Sequence, residues 1–170
     1  MKKGTPFDWR LPAVTGVFAG FIYGFLAGLL ILILSLTVLH DEQLAQYRAA
    51  IPPGAPITPE EALKRAQLLI IPLNMLTLGV VPGALLGVGF AIIYDRLPGK
   101  SARTKGMALG ALIWLVALIA ERMRPGGASF FAVQTKYPPA VPFTLLINLI
   151  SGWSLGALYE RFHPPKKRGG

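Results

Sequence analysis

Four long stretches almost free of charge decide what this chain can fold into: residues 11–39, 66–94, 106–121 and 140–159. A helix needs about 20 apolar residues to cross the hydrocarbon core of a bilayer. In lipid a backbone must also satisfy its own N–H and C=O groups, which for blocks of this length selects the α-helix. The expected fold is all-α: a polytopic membrane protein with four transmembrane helices in a bundle, forming a single membrane domain over residues 1–170. Composition agrees, with 53% of residues hydrophobic and 15% charged, against about a quarter charged in soluble domains. A soluble domain this small buries too little of its surface to hide so much apolar area.

Each block has its own punctuation. Between Leu11 and Leu39 no side chain carries charge at neutral pH, and the one phenol is Tyr23. Lys2 and Lys3 ahead of it look like the start of a signal peptide, but the apolar run is too long and no small-x-small cleavage site follows, so an uncleaved span is expected. Before the second block, Thr58, Pro59, Glu60 and Glu61 fit an N-cap, a proline at N1 and a glutamate at N3. Pro72 and Pro82 inside it each remove a backbone donor, which predicts a kink at one or both. Lys105 and Glu121 bracket only 15 residues of the third block, roughly 22 Å of helix. That length implies snorkelling flanks, a locally thinned bilayer or shielding by partner helices. Pro138, Pro139 and Pro142 open the fourth.

The formal net charge of +9 does not point to nucleic acid, because the basic residues sit between apolar blocks with no basic helix face or interleaved stacking aromatics. Their expected partners are membrane lipids, with anionic headgroups at the cytoplasmic face. With four spans, Lys2, Lys3, Arg10, Arg96, Lys100, Arg103, Lys105, Arg161, Lys166, Lys167 and Arg168 share one side, which makes 11. The other side has 6: Arg48, Lys64, Arg65, Arg122, Arg124 and Lys136. The positive-inside rule then puts both termini in the cytoplasm, with the protein multi-pass in the cell membrane.

Glycines recur at intervals of four: Gly16, Gly20, Gly24 and Gly28 in the first block, Gly79, Gly83 and Gly87 in the second, Gly106 and Gly110 in the third, Gly152 and Gly156 in the fourth. Such stripes let backbones approach, so that dispersion and weak Cα–H···O contacts replace the missing hydrophobic drive. They predict close packing, strongest toward the cytoplasmic end, and assembly with further copies or with other membrane subunits. A weak internal repeat accompanies them. Tyr94-Asp95-Arg96 and Tyr159-Glu160-Arg161 close the second and fourth blocks, with Gly87 and Gly152 each seven residues before the tyrosine. Two-helix units repeated in this way share topology, as in duplicated membrane proteins.

Candidate chemistry is sparse. No Asp, Glu, Lys, Arg or His lies deep in a block, which disfavours proton- or ion-coupled transport. His40 and His163 sit at opposite ends of the spans, cysteine is absent, and no metal or cofactor site is expected. Ser35, Ser151 and Ser154 have no neighbouring base of the kind a nucleophile requires. The polar groups worth naming are Asn74 and Thr77 on one face of the second helix, and Thr144, Asn148 and Ser151 on one face of the fourth. They are expected to hydrogen-bond between helices or to line a small polar site. Outside the blocks, residues 41–58 read as a polar, then proline-rich connection. Pro125-Gly126-Gly127 precedes an apolar hexamer, Ala128–Val133, suited to association. The favoured function is a non-enzymatic accessory or scaffold subunit assembling through glycine faces. The alternative is a small channel or facilitator for an uncharged or lipid-like solute.

Overall fold

The computed structural model describes residues 9–123 and 137–162, and everything among them that is regular is helical. The helices are α1 (Arg10–Leu36), α2 (His40–Ala50), α3 (Pro59–Gly79), α4 (Val81–Ile93), α5 (Ala102–Met123) and α6 (Val141–Phe162). A 3₁₀ turn, Tyr94–Arg96, follows α4, and another, Pro138–Ala140, precedes α6. Four helical segments are long and apolar enough to cross a membrane: Arg10–Leu36, Pro59–Arg96, Ala102–Met123 and Pro138–Phe162. Lys2, Lys3, Arg124, Pro125-Gly126-Gly127, the Ala128–Val133 hexamer, Lys136, His163, Lys166, Lys167 and Arg168 lie outside the described residues.

Along α1, side-chain burial is the reverse of a soluble protein's. The fully buried side chains include Thr15, Ser35 and Thr144, and Ala27 is completely covered. Large apolar groups such as Val14, Phe18, Ile22, Phe25, Leu29 and Ile33 stand exposed along the opposite face of α1. On α1, small residues inside and bulky ones outside suit a solvent of hydrocarbon, where packing and not water exclusion holds helices together.

The bundle is two helical hairpins side by side. In the first, α1 runs antiparallel to α3 and α4; in the second, α5 pairs with α6; α1 and α6 join the two. The glycines make each hairpin. A Cβ built on Gly16 would run into the carbonyl of Gly83 and lie 2.6 Å from the nitrogen of Gly87. One on Gly20 would lie 2.9 Å from the Cα of Gly79, and one on Gly28 2.9 Å from the Cα of Ile71. In the second hairpin, Gly106 faces the Gly152 carbonyl, Gly156 faces that of Ala102, and Gly110 that of Asn148. These glycine stripes are therefore occupied inside one chain. The first seam also runs on past the middle of α1, through Gly24 against Met75 to Gly28, so its tightness is not confined to one end.

Two further differences from the sequence reading, and one expectation that the structure narrows, have local causes. The segment expected as a plain connection contains α2, an 11-residue helix with Asp41 and Glu42 in its first turn and Arg48 in its last, charges that complement the helix dipole. It is tied to α3 by the 2.9 Å Arg48–Glu60 ion pair. The short third block is the apolar part of a 22-residue helix, about 33 Å long, because Ala102–Lys105 and Glu121–Met123 are helical too. Of the two prolines, Pro72 lies within α3, whereas the helix breaks between Gly79 and Val81, just ahead of Pro82. Pro82 has no N–H for the Leu78 carbonyl, and that carbonyl turns toward Gly20 of α1. The capping box at Thr58 and Glu61 forms as expected.

Candidate functional site

Within each hairpin backbones touch; between hairpins α1 and α6 approach closely while α3–α4 and α5 do not, and a chamber of about 510 Å³ remains there. Its position follows from the sequence. The glycine faces draw α1 onto α3–α4 and α5 onto α6, leaving α5 with no extended backbone approach to α3 or α4. The chamber is lined by Ala19, Gly20 and Tyr23 of α1, residues 74–86 of the broken α3–α4 pair, residues 106–113 of α5 and residues 148–155 of α6. These are the middle stretches of the helices.

Four of the five polar residues expected to form a site converge on it: Asn74, Thr77, Asn148 and Ser151. Thr144 does not line it. It is fully buried one turn further along α6, where its hydroxyl accepts a 3.2 Å bond from Trp114 Nε1 and donates to the Val141 carbonyl at 2.9 Å. The expectation of bonds between helices is met only in part. Asn74 Nδ2 donates to the Ile70 carbonyl, Thr77 Oγ1 to Leu73, Asn148 Nδ2 to Thr144 and Ser151 Oγ to Ile147, each at 2.8 Å within its own helix. Back-bonding of this kind satisfies one donor and leaves an amide oxygen or hydroxyl lone pair for another partner.

Tyr23 is the wall residue that the sequence reading passed over. Its phenol on α1 and the Asn148 side chain on α6 both face this wall. The remaining wall is apolar, including Leu78, Leu86, Leu109, Ile113 and Leu155. Among the described residues, no Asp, Glu, Lys, Arg or His lines the chamber. Among the described residues no group of three or more His, Cys, Asp or Glu is placed to hold a metal. The arrangement offers neutral donors and acceptors in an otherwise apolar space, which suits binding more than acid–base or nucleophilic chemistry.

The end where α4 meets α5 is filled by aromatic rings. Phe90, fully buried, stands edge-on to Tyr94 at 5.5 Å and to Tyr159 at 5.2 Å between centroids. Tyr94 and Tyr159, the closing residues of the internal repeat, stack at 5.0 Å with their planes 27° apart. Lys105 braces the cluster, with Nζ 4.0 Å from the Tyr94 ring centroid and donating to the Tyr94 carbonyl at 2.8 Å. Gly99, at φ +134°, turns the connection that brings Lys105 back to Tyr94.

A second hollow, of about 440 Å³, lies under α2 at the far end. There Gln67 Nε2 donates to Ser35 Oγ at 3.0 Å, and Ser35 Oγ donates to Gln43. This chain of contacts anchors α2 and α3 to the end of α1.

Residues 14–168 match a family of unknown function (DUF6789), and the chain belongs to that family. No curated protein and no solved structure matches it.

Proposed function

We propose that this member of the family is a non-enzymatic membrane protein that holds a small uncharged or lipid-like molecule in the chamber between its two hairpins. One observation carries the reading. Polar side chains from separate helices, Tyr23, Asn74, Thr77, Asn148 and Ser151, meet in one apolar space near the middle of the bundle. In lipid such groups demand partners, and the own-helix bonds of Asn74, Thr77, Asn148 and Ser151 occupy one donor of each. The volume falls within the range of small-molecule pockets, and the uncharged wall argues against an ionic ligand. A facilitator for such a molecule is favoured over a scaffold, because the glycine faces that a scaffold would use are filled internally.

The distribution of basic residues, 11 against 6, supports both termini being cytoplasmic in the cell membrane. In that orientation the aromatic cluster lies at the cytoplasmic end, where Arg96, Lys100, Arg103, Lys105 and Arg161 meet anionic headgroups.

Gentle detergent extraction followed by native mass spectrometry tests the reading. The wild-type protein should retain a small molecule, and Asn148→Leu should reduce that occupancy about tenfold, equivalent to roughly 1.4 kcal/mol. A wild-type protein that carries nothing, or an Asn148→Leu variant as fully loaded as the parent, would count against it.

A further inference from the structure

We infer that the chamber opens sideways into the bilayer midplane, through a portal rimmed by Thr77 and Pro82 on one side and Ile113 on the other, and that its ligand is an uncharged lipid bearing hydroxyl or carbonyl groups. The inference rests on the chamber being a binding site and adds its route of access and the chemical class of its ligand.

Tight helix seams and the aromatic end close most of the other sides. Between α1 and α3–α4 the Gly16–Gly87 and Gly20–Gly79 contacts leave no room for even a methyl group. Between α5 and α6, Gly106 against Gly152 and Gly110 against Asn148 do the same. α1 and α6 approach closely. The α4–α5 end is filled by Phe90, Tyr94 and Tyr159, with Lys105 over the stack. Among the described residues, the side between α3–α4 and α5 lacks an extended backbone approach. On that side Thr77 and Pro82 line the chamber and are also exposed at the protein surface. Helix breakage at Gly79–Val81 falls between them, so the rim is set where the helix is already interrupted.

The position of the portal selects the ligand. Val81 and Leu85 beside one rim, and Leu112 and Val116 beside the other, are 50–68% exposed and belong to the lipid-facing belt. Thr77–Pro82 brackets the middle of the second span, and Ile113 lies near the middle of α5. A charged headgroup at that depth costs several kcal/mol, and a water-soluble solute would have to cross hydrocarbon to reach the opening. Uncharged lipids with a hydroxyl, ester or ketone group can reside there. Once inside, the polar end of such a lipid meets Tyr23, Asn148 and Ser151, groups that donate and accept without charge. Its chain lies along Leu109, Ile113 and Leu155 and passes out through the portal.

The test uses the full-length protein in phosphatidylcholine liposomes containing either a photoactivatable diacylglycerol or a photoactivatable phosphatidylcholine. Diacylglycerol should label chamber residues of α5 and α6, and Ile113→Trp should cut that labelling at least tenfold. Leu112→Trp, which adds the same ring on the lipid-facing side, should leave it unchanged and so controls for folding. Phosphatidylcholine should label only the outer belt. Equal chamber labelling by both lipids, or diacylglycerol labelling that survives Ile113→Trp, would overturn the inference. Liposome shrinkage in glycerol separates the two levels. Glycerol flux that depends on Asn148, with no chamber labelling, would leave the chamber's binding role standing and remove the lateral route. Absence of labelling, of flux and of any retained molecule would remove both.

Discussion

The two kinds of interface in this bundle use the same residues' neighbours to opposite effect. Inside the hairpins, Gly16, Gly20, Gly106 and Gly152 bring backbone onto backbone and leave no void. Between α4 and α6, the rings of Phe90, Tyr94 and Tyr159 fill the gap, and the chamber lies beside them. Membrane helices gain little from hiding apolar surface, since lipid is as apolar as leucine. Contact must come from shape. Small residues in a row give tight seams, and large rings at one end act as spacers, so residue size alone decides where the bundle is solid and where it is hollow.

Substitutions can break that contrast or sharpen it. The largest effect is expected from Gly106→Val, which thrusts a branched side chain at the Gly152 carbonyl; overpacking at backbone should cost more than about 3 kcal/mol and abolish a monodisperse fold in detergent. A variant that melts with the parent would mean that the seam is not backbone-tight. Phe90→Ala removes the central spacer and should cost about 3 kcal/mol while letting the two hairpins close on the chamber. Thermal unfolding together with spin-label distances between α4 and α6 would show both changes, and an unaltered distance would deny Phe90 its spacing role. Lys105→Met keeps the length but loses the ring contact and the bond to the Tyr94 carbonyl, with an expected loss of about 1 kcal/mol. Because that change touches the aromatic end alone, tyrosine fluorescence should respond more than the melting temperature. Trp114→Phe should be smallest, about 0.6 kcal/mol, since it deletes one bond to Thr144 and leaves both the seams and the chamber wall in place. A loss several times larger would show that the far end of the second hairpin depends on that bond.

Much of this was legible in the residues and some could not be. The four spans follow from charge-free length, and the polar faces 74–77 and 148–151 from helical spacing; both recur in the structure. The glycine stripes announced close approach but not the partner, because a GxxxG face fits a neighbouring helix of the same chain as well as one of another. Only the fold assigns them inward. Tyr94 and Tyr159 were visible as a repeat at matched offsets from Gly87 and Gly152. Their stacking depends on how two hairpins dock, which no local pattern encodes. α2 could have been found: Gln43–Ala50 is rich in good helix formers, and the charges at its two ends have the signs that a short helix favours. Tyr23 carried no signal, since a tyrosine inside an apolar run looks like any bulky neighbour until Asn148 is placed opposite.

The uneven apolarity of the spans has a consequence for how the protein is made. Mean hydropathy is 2.6 for the best stretch of the first span and only 1.6 and 1.5 for the third and fourth. The first segment can partition from the translocon unaided, whereas α5 and α6, whose glycines and hydroxyls are poor company for lipid, gain by leaving together as an already zipped pair. Glycosylation mapping of nascent chains would register this as a third segment that stays in place only once the fourth has been synthesised.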